Sequence, residues 1–219
     1  MTAGTCSDCG KTMTKAAMTR HVVSCHRGEH GPPALVMSVC DRHAPADYWL
    51  HLEVPADATL RTLDDCLREL WLECCGHLSM FEIGRRRYTC DVDLLGGGPG
   101  PYRDADERAM DVGVGEVLPP GAQARHLYDM GSTTELQVRC VEQRPGHSGG
   151  VIALLARNEA PQIECSVCGA PATTTCTECG WDGPAALCEG CAGEHPCDDE
   201  LYSPIVNSPR SGVCGYTGV

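Results

Sequence analysis

Hydrophobic and polar positions alternate with a readable period only in the middle of the chain. PALVMSVCD (33–41) and DYWLHLEV (47–54) combine alternation with β-branched and aromatic residues, and both predict strands. Pro55 breaks the second, and Thr59 is placed to cap a helix expected to run through Cys74. Leu60, Leu63, Leu67, Leu70 and Trp71 recur at helical spacing, with Asp64, Asp65, Arg68 and Glu69 between them. LSMFEI (78–83) and RRRYTC (85–90) flank Gly84 as a hairpin. ARHLYDM (124–130), TELQVRCVEQ (134–143) and GVIALLAR (150–157) read as three further strands. QRPGHSGG (143–150) reads as a turn, and GGGPGP (96–101) as a flexible loop without the strand-to-helix setting of a phosphate cradle. Helices do not alternate with strands, so the prediction is an α+β fold: a small mixed or antiparallel sheet with one main helix.

Cysteine density then divides the rest. Seventeen cysteines stand among 219 residues, an odd number. The expected boundaries are a finger over 1–31, the α+β domain over 33–158, a linker EAPQ (159–162), a second cysteine-rich module over 163–200 and a tail over 201–219. The opening MTAGTCSDCGKTMTKAAM has no apolar run followed by a small-residue cleavage site, and no stretch of about 18 apolar residues occurs. The expectation is therefore a cytoplasmic protein, with no membrane partner and thiolates bound to metal rather than joined as disulfides.

Cys6-x2-Cys9-x11-His21-x3-Cys25 offers the first metal set. A CxxC knuckle presents two thiolates from one tight turn, and Gly10 permits that turn. His21 and Cys25, four apart, share a helix face and complete a tetrahedron. The spacing is one residue shorter than the usual finger and ends in Cys25, with His26 as the alternative last ligand. Met13 and Met18 occupy the places of a finger's small apolar core.

Residues 165–197 supply the second set: Cys165/Cys168, Cys176/Cys179 and Cys188/Cys191, then His195 and Cys197. Eight donors fill two tetrahedral sites without remainder. Pairing neighbours is one arrangement. A cross-brace, with pairs one and three on one ion and pair two with His195 and Cys197 on the other, better fixes a segment with little core. The last ligand is open between Cys197 and Asp198 or Asp199. The predicted cofactor is zinc, about three ions per chain. Complete thiolate-rich shells leave no vertex for water, and neither HExxH nor a deaminase HxE…PCxxC occurs, so no catalytic metal is expected.

LCEGCAGEH (187–195), a cysteine pair followed shortly by histidine, resembles the B-box zinc module and the wider cross-brace group that includes MYND and RING domains. That resemblance implies protein binding or self-association. The middle segment resembles the plasmid pRiA4b ORF-3-like family, an insertion-element passenger type. The likeness lies in LHLEVPADATLRTLDDCLRELW (50–71), HLSMFEIGRRRY (77–88), VGEVLPPGAQARHLYDMGSTTELQV (114–138) and PIVNSPRSGVCGYTG (204–218). Ser132-Thr133-Thr134 departs from the Asp-Gly-Trp common after its Tyr-Asp-x-Gly turn. The family implies a compact α+β fold and brings no catalytic residues to carry over.

Charge limits the partners. Residues 1–31 carry a net +2 and 159–219 a net −8, within a total of −13. Phosphate backbones are repelled by most of such a surface, so nucleic-acid contact is expected only through the finger (Lys15, Arg20, Arg27) or the run Arg85-Arg86-Arg87. The expected function is a zinc-binding, non-enzymatic interaction module with a protein partner. The alternatives are a nucleic-acid-binding accessory protein and an enzyme around His77 and Asp129, with Tyr128, His126 and Cys74-Cys75 nearby. His77, after Gly76, also reads as a capping or packing residue. Cys40, Cys66, Cys90 and Cys140 read as small buried apolar residues, and Cys214 as a free or packed thiol.

Overall fold

A computed structural model describes residues 2–25, 30–90, 106–147, 149–179 and 186–218. The expected loop at 96–101, and His26 and Arg27, lie outside the described residues. The chain opens with strands β1 (Ala3–Cys6) and β2 (Thr12–Thr14) and helix α1 (Lys15–Cys25). Next come β3 (Pro33–Asp41), β4 (Trp49–Pro55), α2 (Leu60–Leu67), β5 (Ser79–Ile83), β6 (Arg86–Thr89) and β7 (Glu107–Ala109). After the short α3 (Val114–Val117) follow β8 (Gln123–Tyr128), β9 (Thr134–Pro145) and β10 (Ala153–Asn158). The remainder holds β11 (Thr174–Cys176), β12 (Ala186–Leu187), α4 (Glu189–Ala192) and β13 (Tyr202–Pro204).

The fold is α+β as expected, but the sheet is larger than predicted. Ten strands run in the order β2-β1-β10-β4-β3-β9-β8-β5-β6-β7. All neighbours pair antiparallel except β6 and β7. The growth comes from β7, which adds to β6 at one edge, and from β1 and β2 of the finger segment at the other, where β1 pairs with β10 and β2 with β1. Gly4 permits that approach, because a Cβ there would strike the Trp49 ring and the Arg157 carbonyl.

Both faces of the central strands are covered, and this explains their nearly unbroken apolar sequence. On one face Leu35, Met37 and Val39 of β3 and Leu50, Leu52 and Val54 of β4 meet Leu60, Leu63, Leu67 and Trp71. On the other, Val36, Cys40 and Trp49 meet Met18 and Val22 of α1. His51, on the finger-facing side of β4, is fully buried, with Nε2 2.8 Å from Thr19 Oγ1 of α1.

Two expectations are corrected. The helix capped by Thr59, whose Oγ1 accepts from Thr62 N at 3.1 Å, does not reach Cys74. It widens into a π-turn over Arg68–Leu72 and ends at the extended Glu73, whose carboxylate accepts from Arg68 Nε (2.6 Å) and Gly76 N (2.5 Å). The turn expected from 143 begins later, since β9 continues to Pro145 in register with Pro33 of β3. No helix among the described residues is long and apolar enough to cross a membrane.

Candidate metal centres

Local backbone chemistry builds each cysteine knuckle. In the finger, Cys6 ends β1, and Gly10 N donates back to the Cys6 carbonyl at 3.0 Å with Gly10 at φ 68°. α1 then carries His21 and Cys25 over the turn. Cys6 Sγ lies 3.9 Å from Cys25 Sγ, and Cys9 Sγ 3.2 Å from His21 Nε2. All four donors fall within 4.8 Å of one another. Around zinc, with sulfur at about 2.3 Å and nitrogen at about 2.0 Å, tetrahedral edges are about 3.5–3.8 Å. The group therefore has the dimensions of a metal shell.

The C-terminal module interleaves its two groups. Cys165 and Cys168 join Cys188 and Cys191, while Cys176 and Cys179 join His195 and Cys197. Cys168 and Cys188 sulfurs are 3.6 Å apart. In the second group Cys179 Sγ is 3.7 Å from Cys197 Sγ and 3.4 Å from His195 Nε2. The crossing is enforced by the sheet β12-β11-β13, which sets Thr174 opposite both Leu187 and Pro204. Cys197 is the fourth donor grouped here, while Asp198 precedes the 3-10 turn Asp199–Leu201 and its backbone carbonyl accepts from Leu201 N at 3.0 Å. Tyr202 Oη braces the loop by donating to the carbonyls of Ala192 (3.2 Å) and Cys197 (3.0 Å).

Among the thiols themselves, negative charge concentrates on one sulfur per group. Backbone N–H groups of Cys188 and Val167 draw Cys165 down to about 6, while the Cys168 and Cys188 thiols push Cys191 up to about 12. In the second group burial opposes ionisation of Cys176, yet Cys179 N–H and His195 bring it to about 7. The neighbouring Cys179 thiol pushes Cys197 up to about 12. A dication entering such a group displaces the remaining thiol protons.

The acid–base candidates of the middle segment are tied into structural contacts. His126 is fully buried, with Nε2 2.6 Å from Asp64 Oδ1, and Ser79 donates to Asp64 Oδ2 at 2.8 Å. Tyr128 lies between the guanidinium groups of Arg68 and Arg210, and burial pushes its phenol up to about 12. Asp129 takes a left-handed conformation (φ 66°) and accepts from Arg210 Nη2 at 2.7 Å. Burial opposes its ionisation, but Arg210 and the Gly131 and Ser132 N–H groups hold it down at about 2. Arg85, Arg86 and Arg87 are exposed on the β5–β6 hairpin, with Arg87 Nε 3.8 Å from Glu82 Oε1. Lys15 and Arg20 instead line a cavity of about 660 Å³ with Gln123, Gln137 and Arg139.

The sequence has no metal spacing near Cys74 and predicts a free or packed thiol at Cys214, and here the structure differs. Cys74, Cys75, His77 and Cys214 gather their donors within 4.8 Å. The only local signal is a cysteine pair followed two residues later by histidine. The fourth donor comes from 137 residues beyond His77.

No protein-family model matches the sequence, and no curated protein matches it. Among solved structures, one similar chain is a protein of unknown function from Methanosarcina mazei Go1. The TM-score is 0.44 at 16% identity, covering 59% of this chain and 70% of that one.

Proposed function

We propose that the chain is a zinc-stabilised, non-enzymatic interaction module. The observation that carries this reading is the donor arithmetic: each of the three cysteine-rich groups offers four soft donors at tetrahedral spacing. Such a shell has no open vertex at which water or substrate would be activated. The engagement of His126, Tyr128 and Asp129 in buried contacts supports the same reading. Placement with the pRiA4b ORF-3-like family, and with its mobile-element context, remains a proposal resting on the quoted motifs.

The partner is a protein, bound through the acidic C-terminal module. The test is zinc quantified by native mass spectrometry on the full chain, together with capture of binding proteins by the wild type and by C176S. Zinc that resists dialysis, and capture lost in C176S, are the expected results. A protein purified without zinc, or capture unchanged in C176S, contradicts the reading.

A second reading has its own observation. Lys15, Arg20 and Arg139 converge on one cavity between α1 and the sheet, which is the place for a nucleic-acid phosphate. Binding there would weaken steeply with salt, and a flat salt response would dismiss it.

A further inference from the structure

The gathering at Cys74 has the metrics of the other three groups without any of their motifs. Cys75 Sγ lies 3.8 Å from Cys74 Sγ and 3.7 Å from Cys214 Sγ. His77 Nε2 lies 3.1 Å from Cys75 Sγ and 3.3 Å from Cys214 Sγ. The sulfur–sulfur separations match the tetrahedral edge of about 3.8 Å set by zinc–thiolate bonds of about 2.3 Å.

The backbone is shaped to hold these donors. The π-turn and the extended Glu73 release Cys74 and Cys75 from helical geometry, so neighbouring side chains meet one point. Gly76 then turns at φ 79° and brings His77 back over the pair. Cys214 itself has φ 52°, a conformation that costs a non-glycine residue on the order of 1 kcal/mol or more and persists where its surroundings demand it. Arg210 supplies the support around the donors. Its Nη2 reaches Cys74 Sγ at 3.5 Å and Asp129 Oδ2 at 2.7 Å, and its Nη1 is anchored on the Ser132 carbonyl and Thr134 Oγ1, each at 3.1 Å. A guanidinium beside three thiolates offsets the charge they would carry around a dication.

The cysteine inventory also closes. Thirteen of the seventeen belong to the four groups, and the remaining Cys40, Cys66, Cys90 and Cys140 pack in or against the apolar cores.

We infer that Cys74, Cys75, His77 and Cys214 bind a fourth zinc ion, which fastens the C-terminal tail to the end of α2. The inference rests on the reading that the other three groups hold zinc. The ion closes a path already begun by Ser208 Oγ, which donates to the Trp71 carbonyl at 2.7 Å, and by Asn207, paired with Asn158. Gly212 of the same tail lies against Thr175 of β11. The site therefore links the main sheet to the C-terminal module.

The test uses the full chain under native mass spectrometry, with thiol alkylation mapped by peptide. Four ions are expected in the wild type and in the control C66S, and three in C214S. Cys75 and Cys214 are exposed, so geometry alone leaves them open to iodoacetamide. Protection of both in the wild type, lost on chelation, is the signature of a bound ion. Three ions in the wild type with Cys75 and Cys214 alkylated at once, or a mass lower by two hydrogens that marks a disulfide among them, overturns the fourth site alone. No zinc at all overturns the reading beneath it as well. Thermal denaturation of C214S separates a lost ion from a lost fold: the tail position is exposed, and the main transition is expected to persist.

Discussion

The finger and the C-terminal module both gather cysteine and histidine donors in groups of four but differ in what surrounds them. The finger contributes Cys6, Met18 and Val22 to a cluster of eight buried residues, and the other five, Val36, Cys40, Trp49, Leu155 and Ala156, belong to the main sheet. Among the described residues, the C-terminal module has three in its buried apolar cluster, Cys165, Cys176 and Leu187, and two of those are candidate ligands. The finger is thus a piece of a large fold that a metal would reinforce. In the module the metal would stand where a core should be, because so little apolar surface is available to offset chain entropy.

Loss of a single candidate ligand should have the largest and most unequal effect on the two segments. C176S should unfold residues 163–204 as a unit, read as lost protection in hydrogen exchange. C6S should loosen the β1–β2 turn while β1 stays paired with β10. Equal collapse of both segments would erase the distinction.

Next in size is Met18→Ala. Met18 of α1 is fully buried against the sheet, and truncation of such a side chain costs about 2–5 kcal/mol in the main unfolding transition. Denaturant melts should show that loss with and without chelator. A loss confined to the metal-loaded protein would mean that the finger, too, depends on its ion for packing.

A smaller, pH-dependent effect belongs to His51. Burial, with a further push from Lys15, lowers its imidazole from 6.5 to about 3. Between those values the unfolded chain takes up a proton that the folded chain refuses, so stability falls as the pH drops through this window. The slope contributed is at most about 1.4 kcal/mol per pH unit. His51→Gln should flatten the stability profile below pH 6.5, and an unchanged profile would remove His51 from the docking of α1.

Smallest is Thr59→Ala, which deletes the α2 cap far from the three sequence-predicted groups. About 1 kcal/mol should be lost, identically with and without metal, as denaturant midpoints would show.

Much of this was legible because it is local. The CxxC pairs, the helix period from Leu60 to Leu67 and the alternation of β8 and β9 each sit within a few residues. What was not legible depends on distant chain. The apolar runs of β3 and β4 predict strands, but only the docking of α1 explains why both their faces are dry and why His51 is buried, while Glu53 is covered by Arg144 and the His147 backbone. Cys214 pairs with residues more than 130 positions away, and no spacing rule reaches that far. Leucine periodicity continues through Leu70 and Trp71 and predicts an α-helix to Cys74, whereas the backbone widens into a π-turn after Leu67 and becomes extended at Glu73.

The most direct test of the contrast is hydrogen exchange on the full chain before and after metal chelation, resolved by peptide. Residues 163–204 should lose nearly all protection while β3, β4, β9 and buried Val22 of α1 keep theirs. Protection in 163–204 that survives complete removal of metal would contradict that contrast.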